Sequence, residues 1–190
     1  MRKLILGMFV SLDGFVSGPN GEADWIFKSG DDATDEWIIE NLWQAGLLAM
    51  GARTFSDMAA YWPTAETPFA APMNEIPKVV FSKKGLAEAP DAGAPPGSWG
   101  NPNVGSGELS MEVARLKAQP GKDIRVMGGA SFARALAAQG LVDEYQLLVC
   151  SVALGGGAPL FSDLRAALDL KLISAKTFSG GAVALVYRPA

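Results

Sequence analysis

The chain reads Ile-Arg-Val-Met-Gly-Gly-Ala-Ser over residues 124–131, and an apolar run that includes Phe132 and Leu136 follows directly. The first half of this stretch predicts a buried strand, and the glycine pair predicts a sharp turn into a helix. A helix that begins in this way leaves backbone N–H groups without partners, and no side chain keeps an anion away from them. The stretch therefore indicates a phosphate-binding turn, although glycines at such a junction also serve tight packing.

Composition predicts one globular domain over residues 1–190. Apolar residues make up 49% of the chain and charged residues 19%, which is an ordinary balance for a folded domain. The net charge is −4 and the basic residues are scattered, so we expect no nucleic-acid partner. No segment approaches the roughly 20 apolar residues of a membrane span, so we expect no membrane association.

The chain contains no histidine and one cysteine. Catalysis by Ser-His-Asp or Cys-His arrangements is therefore excluded, and we expect no metal site. Cys150 lies inside an apolar run, where a buried strand residue is expected. A chain that cannot form an internal disulfide fits a reducing compartment, which predicts a cytoplasmic protein.

Apolar runs alternate with helical patterns along the chain. This order predicts an α/β fold with a mostly parallel central sheet, helices on both faces and an antiparallel C-terminal hairpin. Strands are predicted over residues 3–10, 47–50, 78–81, 124–127 and 145–152, and the hairpin over residues 168–178 and 183–187. Helices are predicted from an N-cap at Thr34 to Gly46, and over residues 51–60, 107–118 and 131–138. In the helix over residues 107–118, Met111, Val113 and Leu116 are predicted to be core residues.

Ligands of such sheets bind at the carboxyl ends of the parallel strands. In this sequence those ends lead into residues 11–25, 51–54, 82–83 and 128–131, which carry most of the unusual glycines and polar residues. Residues 87–103 are rich in proline and glycine and are predicted to form a surface loop.

Eight short motifs in a fixed order resemble the dihydrofolate reductase-like family, in the branch related to the reductase domain of bacterial riboflavin biosynthesis enzymes. The resemblance runs nearly end to end. The motifs are Ser11–Gly14, Asp24–Ile26, Gly51–Phe55, Ser82–Lys83, Leu116–Ile124, Met127–Ser131, Gly140–Tyr145 and Leu154–Phe161.

The resemblance implies NADPH as the cofactor, bound in an extended pose across the strand ends. It places the pyrophosphate on the backbone of residues 128–131, with a cis peptide bond between Gly128 and Gly129. Further cofactor contacts are implied for residues that precede or open the neighbouring loops, and the whole implied set is Phe9, Val16, Gly51, Arg53, Thr54, Ser82, Lys83, Gly128, Gly129, Ala130 and Ser131.

Two positions depart from the family pattern. The family reads Gly-Arg-x-Thr, whereas this chain has Ala52 at the arginine position and Arg53 one residue later. Arg53 is expected to bind the adenosine 2′-phosphate together with Ser82 and Lys83, or else to be a solvated surface charge with a relaxed preference for NADPH. Met127 stands where the riboflavin reductases carry glutamate, which argues against recognition of a ribosylaminopyrimidine phosphate in the same manner.

Hydride transfer asks the protein chiefly for a cofactor site and a proton source. The resemblance points to an acid near the start of the first helix, and Asp32 is our choice there over its neighbours Asp31 and Asp35. The alternative is that these acids only stabilise the N-terminus of the helix. Asp13 is the other candidate proton donor, or a turn former beside Gly14. Trp25 is expected to be a substrate-pocket wall or a core anchor.

These observations predict an NADPH-dependent reductase of a small heterocycle with a C=N or C=O bond. The substrate is either a pterin or dihydrofolate, which Met127 slightly favours, or a pyrimidine of riboflavin biosynthesis, and we expect a homodimer. The deaminase half of many riboflavin enzymes is not expected in this chain. The alternative is a non-catalytic dinucleotide-binding or dimeric scaffold protein that retains the fold.

Overall fold

A computed structural model describes residues 1–86, 91 and 93–190. The predicted surface loop over residues 87–103 falls in part outside the described residues. The strands are β1 (Leu4–Ser11), β2 (Phe15–Ser17), β3 (Ala45–Gly51), β4 (Lys78–Phe81), β5 (Asn103–Gly105), β6 (Asp123–Met127), β7 (Glu144–Cys150), β8 (Ala158–Pro159), β9 (Leu170–Thr177) and β10 (Val183–Pro189). The α-helices are α1 (Asp32–Trp43), α2 (Ala52–Tyr61), α3 (Ala70–Glu75), α4 (Leu109–Ala118) and α5 (Ala130–Ala138), and short 3₁₀ helices cover Asp24–Lys28 and Trp62–Thr64.

Internal contacts divide the described chain into two compact units that alternate along the sequence. The first unit holds residues 1–4 and 39–129, and the second holds residues 5–38 and 130–190. The predicted single domain stays a prediction, and the two units are treated separately below.

The first unit contains four parallel strands in the order β5-β4-β3-β6. Its central strand β3 is almost wholly apolar, and Leu48, Ala49 and Met50 are fully buried. Continuous apolar strands of this kind are expected where both faces of a parallel sheet are covered. The parallel part of the predicted α/β fold is therefore confirmed here.

Helices α2 and α4 supply apolar side chains to the first unit. The Phe55 ring of α2 lies 5.6 Å from the Trp99 ring, between centroids. Val113 and Leu116 of α4 are buried as the helical spacing predicts, whereas Met111 is 72% exposed and is not a core residue. Met111 sits two positions before Val113, so it points away from the stripe that the other two define.

The second unit contains the strand order β1-β7-β10-β9. β1 and β7 are parallel, and the pairs β7–β10 and β10–β9 are antiparallel, which confirms the predicted C-terminal hairpin. The hairpin core is a cluster of Leu148, Phe178, Ala182 and Ala184, against which Phe9, Trp37 and Ile38 pack.

Helix α1 begins earlier than the sequence predicts. Its N-cap side chain belongs to Asp31, whose carboxylate accepts a hydrogen bond from the Thr34 backbone N–H at 2.9 Å. The Thr34 hydroxyl in turn lies 3.3 Å from the Asp31 backbone N–H, so the two residues satisfy each other reciprocally. Thr34 is therefore inside the helix, and the predicted N-cap at Thr34 is wrong.

Asp31 also fixes the turn of the C-terminal hairpin. Its second carboxylate oxygen accepts hydrogen bonds from the Ser179 hydroxyl at 2.5 Å and from the Gly180 backbone N–H at 2.8 Å. A side chain at Gly180 would collide with the backbone, because a Cβ there would lie 2.6 Å from the Ser29 carbonyl oxygen. The hairpin turn therefore rests directly on the segment that opens α1.

Short elements depart from the sequence prediction in three places. The long loop after β1 contains β2 and a 3₁₀ helix, and α3 was not predicted. Gly46 does not end α1 but lies inside β3, which begins at Ala45. Over the described residues, no helix has both the length and the apolar character that crossing a membrane requires.

Lys78, the first residue of β4, is completely buried in the first unit. Its ammonium donates a hydrogen bond to the Asn74 carbonyl oxygen at 2.7 Å and lies 4.7 Å from the centroid of the Trp99 ring. The Asn74 side chain accepts from the Trp99 indole N–H at 2.9 Å, which fixes the ring beneath the lysine. Burial lowers the pKa of Lys78 to about 8.

We expect Lys78 to make the stability of the protein rise with pH. An unfolded lysine titrates near 10.5, so between pH 8 and pH 10 the unfolded chain holds a proton that the folded chain has lost. One such proton raises the free energy of unfolding by about 1.4 kcal/mol per pH unit. Denaturant titrations of the wild type and Lys78→Met should therefore diverge with this slope, in favour of the wild type.

The exposed Lys171 supplies the matched control for this measurement. Lys171→Met should follow the wild-type pH dependence, because Lys171 is exposed and its ammonium stays in contact with water. Parallel curves for wild type and Lys78→Met would show that Lys78 remains charged in the folded protein.

Candidate functional site

Three parallel strands of the first unit end at one edge of its sheet. Gly51, the last residue of β3, is in register with Phe81, the last residue of β4, and the β3–β6 register runs up to the pair of Ala49 with Val126. The residues that follow, including Ser82 and Gly128, therefore lie at the same edge. Parallel pairing thus brings together loops that are distant in the sequence.

The N-terminus of α2 at this edge carries no capping side chain. Gly51 is extended at φ −79° and ψ 162°, and it makes no side-chain cap hydrogen bond. The adjacent Gly128 is at φ +64°, and a Cβ built on it would lie 3.6 Å from the Thr54 methyl carbon. A helix start without a cap, next to a glycine backbone, leaves backbone N–H groups that can donate hydrogen bonds to an anion.

The turn between β6 and α5 is made by two glycines in the left-handed region. Gly128 and Gly129 have φ angles of +64° and +83°. The described residues contain no cis peptide bond, so the cis bond expected between these glycines is wrong. Positive φ at two successive residues reverses the chain direction with trans peptides, which glycine alone does without steric cost. Ala130 then opens α5, and Ser131 in its first turn is exposed.

Arg53 and Lys83 are exposed at the same edge of the first unit, so both cations are open to a ligand. Ser82 is more constrained, because its hydroxyl donates a 2.5 Å hydrogen bond to the Gly85 carbonyl oxygen and its N–H donates to Gly105. Ser82 therefore stabilises the turn on which the exposed Lys83 lies.

In the second unit, Asp13 joins two loops that follow parallel strands. Its carboxylate accepts hydrogen bonds from the Ser11 hydroxyl at 2.6 Å, the Leu154 N–H at 3.1 Å and the Gly155 N–H at 2.7 Å. The Ser11 hydroxyl also accepts from the Phe15 N–H at 2.9 Å. These hydrogen bonds, that of Ser11 first, lower the pKa of Asp13 to about 2.

The second loop, residues 154–157, is shaped by glycines rather than built to hold a phosphate. Gly155 and Gly157 have positive φ angles of 70° and 138°. A Cβ at Gly157 would lie only 2.0 Å from the Ser17 carbonyl oxygen, so no side chain fits there. This close approach allows β8 to pair with β2. These glycines therefore shape a structural loop.

The acids at the start of α1 differ in their surroundings. Asp31 accepts four hydrogen bonds, led by that of Ser179, which hold its pKa far below the ordinary value. Asp32 is exposed at the first position of the helix. The pKa of Asp35 is raised, first by partial burial and then by the charges of Asp32 and Asp31. Asp31 is therefore ionised at neutral pH and is a poor proton donor.

The remaining predicted site residues of the second unit lie largely in its interior. Val16 is 8% exposed in β2, and Phe9 packs against the hairpin cluster. Trp25 is 3% exposed, and its indole N–H donates to the Glu22 carbonyl oxygen at 3.1 Å. This burial favours the core-anchor alternative for Trp25.

Cys150 is buried in the second unit, as the sequence predicts. Burial raises the pKa of its thiol to about 11, so the thiolate is absent at neutral pH.

Sequence reasoning missed the backbone N–H groups of Leu154 and Gly155 as partners of Asp13. The only signal in the sequence was that Asp13 and the Gly155–Gly157 run each follow a predicted strand.

Comparisons with known proteins agree with this fold. The family model "RibD C-terminal domain" matches residues 2–184. The uncharacterised protein YyaP of Bacillus subtilis (strain 168) is 36% identical over 188 residues, which cover 98% of this chain and 94% of that protein. The riboflavin biosynthesis protein RibD of Corynebacterium ammoniagenes is 27% identical over 84% of this chain and 48% of that protein, so the chain spans about half its length.

Two solved structures share the fold over the whole chain. A pyrimidine reductase-like protein from Corynebacterium diphtheriae superimposes with a TM-score of 0.68 at 18% identity, covering 100% of this chain and 92% of that one. A diaminohydroxyphosphoribosylaminopyrimidine deaminase/5-amino-6-(5-phosphoribosylamino)uracil reductase from Thermotoga maritima gives 0.69 at 16% identity, covering 100% of this chain and 57% of that one. The predicted fold class is therefore confirmed.

We expect Asp13→Asn to release the loop at Leu154 and Gly155. An amide at this position keeps the size of the side chain but loses the charge that strengthens its hydrogen bonds with the two backbone N–H groups. Hydrogen–deuterium exchange of residues 152–157 should therefore accelerate in the variant, while exchange in β4 stays unchanged. In the wild type, the protection is complete above pH 4 and is lost as the pH falls through about 2. Unchanged exchange at Gly155 would contradict the role assigned to Asp13.

Proposed function

The chain belongs to the RibD C-terminal domain family, and we propose that it is an NADPH-dependent reductase of a small heterocyclic substrate. The observation that carries this proposal is the uncapped N-terminus of α2 beside the bare backbone of Gly128. A bound nicotinamide supplies the hydride, and the chain binds the dinucleotide, positions the substrate and supplies a proton.

Binding of the cofactor phosphates would explain why glycines lie at the strand ends of the first unit, next to the start of α2. Backbone N–H groups at the start of α2 and along the glycine turn would bind the pyrophosphate, with Thr54 at the start of α2. A side chain at Gly128 would occupy the space next to the Thr54 methyl group, so glycine keeps the backbone accessible there. Ser131, exposed in the first turn of α5, is the further cofactor contact that the resemblance implies.

Arg53 and Lys83 are the proposed ligands of the adenosine 2′-phosphate. Both side chains are exposed at the strand ends of the first unit, and the turn stabilised by Ser82 presents Lys83. Arginine binds two phosphate oxygens at once through its planar guanidinium, whereas lysine acts as a point charge. Two cations at this edge favour NADPH over NADH even though Ala52 occupies the usual arginine position.

Asp32 remains the proposed proton donor, and Asp13 is better suited to hold a loop. A carboxylate with a pKa of about 2 has lost its proton at neutral pH, so Asp13 cannot deliver one to a substrate. Asp35 has a raised pKa and lies three positions after Asp32, on a similar side of α1. It is therefore the alternative acid of the same helix.

The substrate class follows from the relatives and from Met127 together. A pyrimidine reductase-like neighbour and the family itself favour a pyrimidine with a reducible C=N or C=O bond. Met127 cannot form the hydrogen bonds or carry the charge of the glutamate that riboflavin reductases place there. The chain therefore suits a heterocycle that differs from the ribosylaminopyrimidine phosphate, and a pterin is the second candidate.

A non-catalytic dinucleotide-binding or scaffold protein is the second candidate function. The observation in its favour is the depressed pKa of Asp13 and Asp31. Both carboxylates are ionised at neutral pH, so Asp32 and Asp35 are left as the candidate proton donors. Binding of NADPH without turnover of any heterocycle would favour this candidate over the reductase.

Thermal unfolding with NADPH, NADP and NADH tests the cofactor proposal. A ligand at about 100 times its dissociation constant adds roughly 2.7 kcal/mol to the free energy of unfolding. We expect NADPH and NADP to stabilise the protein more than NADH does. Absence of a shift with all three nucleotides would remove the enzymatic proposal.

The double variant Arg53→Ala/Lys83→Ala tests the 2′-phosphate site. Loss of charge-assisted contacts should weaken NADPH binding by on the order of tenfold or more and leave NADH binding unchanged. Arg165→Ala is the control, because Arg165 is an exposed arginine of the second unit outside the proposed site. Equal weakening of both nucleotides would show that these cations do not read the 2′-phosphate.

A further inference from the structure

We propose that Glu112 is a specificity-determining residue of the nucleotide site, where its carboxylate binds an adenosine ribose hydroxyl and opposes the 2′-phosphate. The site then accepts NADH as well as NADPH, and its preference for NADPH is smaller than Arg53 and Lys83 alone would give. This inference rests on the proposed function and concerns residues of the first unit only.

The charges that follow three neighbouring strands change sign along the edge of the first-unit sheet. In the order β3, β4, β5, the segments after the strands carry Arg53, Lys83 and Glu112. The three strands end in register, because Phe81 at the end of β4 pairs with the last residue of each neighbour. A ligand that spans this edge therefore passes from two cations to a carboxylate.

The Glu112 side chain bends back over the turn that precedes α4, as helical side chains do toward the N-terminus. Its Oε2 lies 3.6 Å from a Cβ built on Gly105, and its Oε1 lies 3.0 Å from one built on Gly107. Neither glycine has a positive φ angle, so the backbone conformation does not require glycine there. At Gly107, the missing side chain instead leaves room for the carboxylate.

A backbone hydrogen bond joins this turn to the proposed 2′-phosphate site. The Ser82 N–H donates to the Gly105 carbonyl oxygen at 3.1 Å, and Lys83 is the next residue after Ser82. Glu112 and Lys83 therefore flank the paired ends of β4 and β5. A cation at such a site binds phosphate oxygens, whereas a carboxylate accepts hydrogen bonds from hydroxyl groups.

The starts of α2 and α4 differ in the chemical group that each can bind. Both helices follow parallel strands of the same sheet, and neither has a side-chain cap. The first turn of α2 contains no acidic residue, whereas that of α4 contains Glu112. A helix start attracts negative charge, and at α4 the Glu112 carboxylate already supplies it. A phosphate therefore fits at α2, and a neutral hydroxyl fits beside α4.

Arg115 binds one oxygen of the Glu112 carboxylate and leaves the other available. Its Nη2 and Nε donate to Oε2 at 2.7 Å and 3.1 Å. Within the part of the chain that the structure describes, Oε1 accepts no hydrogen bond. The Glu112 side chain keeps 20% of its surface exposed, so a ligand can reach it. Oε1 is therefore the acceptor for the ribose hydroxyl.

NADH and NADPH differ at the position that such a carboxylate distinguishes. NADH carries a 2′-hydroxyl, which donates a hydrogen bond to a carboxylate, and NADPH carries a phosphate, which a carboxylate repels. Arg115 offsets part of this repulsion, because it forms an ion pair with Glu112. At a partly exposed site, the remaining repulsion changes affinity by roughly threefold to tenfold.

Calorimetric titration of Glu112→Gln with NADPH and NADH tests the proposal. The amide keeps the size of the side chain and removes its charge. The ratio of NADPH affinity to NADH affinity should rise by roughly threefold to tenfold, because the 2′-phosphate is no longer repelled. Arg115→Gln should lower the same ratio, because it leaves the Glu112 charge without its ion pair.

Glu75→Gln is the matched control for the loss of one negative charge. Glu75 is an exposed acid at the end of α3, before the amino end of β4, so it lies at the opposite edge of the sheet. This variant should keep the wild-type ratio. An unchanged ratio in Glu112→Gln, or an equal change of both affinities, would overturn the proposal. A wild type that binds NADPH and does not bind NADH would also overturn it.

Adenosine 2′,5′-bisphosphate and AMP separate this outcome from that of the reductase proposal. These two probes differ only in the 2′-phosphate and lack the nicotinamide, so their binding does not depend on catalysis. Their affinity ratio should shift in Glu112→Gln in the same direction as that of NADPH and NADH. This shift without turnover of any heterocycle would uphold the role of Glu112 and reject only the reductase. A wild type that binds none of the four nucleotides would overturn both proposals.

Discussion

Parallel strand pairing is the constraint from which the candidate site of the first unit arises. Because β3, β4 and β6 run in the same direction, their carboxyl ends meet, and Gly51, Ser82 and Gly128 come to one edge. Backbone N–H groups without intrahelical partners then collect at that edge, and glycine keeps them accessible. The proposed anion site is therefore built from backbone geometry, and exposed cations add specificity to it.

Carboxylates in the second unit act mainly as hydrogen-bond acceptors that join loops. Asp13 links the segment after β1 to the segment after β7, and Asp31 links the start of α1 to the hairpin turn. Each accepts several N–H and O–H groups, which stabilises the ionised form and removes it from proton transfer at neutral pH. Hydrogen-bond partners therefore decide which of the candidate acids can donate a proton. Position in the sequence alone does not distinguish them.

Burial of charge follows a different logic in the first unit. Among the described residues, no carboxylate lies within hydrogen-bond distance of Lys78, and a carbonyl oxygen together with the Trp99 ring face stabilises its ammonium. Such an arrangement balances the desolvation of a cation only in part, which is why its pKa falls. In the hairpin of the second unit, the charged residues Lys171, Lys176 and Arg188 lie on one side of the strands. The apolar residues Ala175, Leu185 and Tyr187 lie on the other side.

The sequence by itself determined the longer strands, most of the helices, the hairpin and the family, because hydrophobic periodicity and glycine spacing are local properties. It predicted β4 residue for residue and the burial of Val113, Leu116 and Cys150. Only the tertiary structure decided that Asp31 rather than Thr34 caps α1, that Met111 is exposed, that the glycine pair is trans and that Asp13 binds residues 154 and 155. The Asp13 contacts join residues distant in the sequence, Asp31 also binds the distant Gly180, and the exposure of Met111 depends on which side of α4 faces the core. Local pattern encodes none of these.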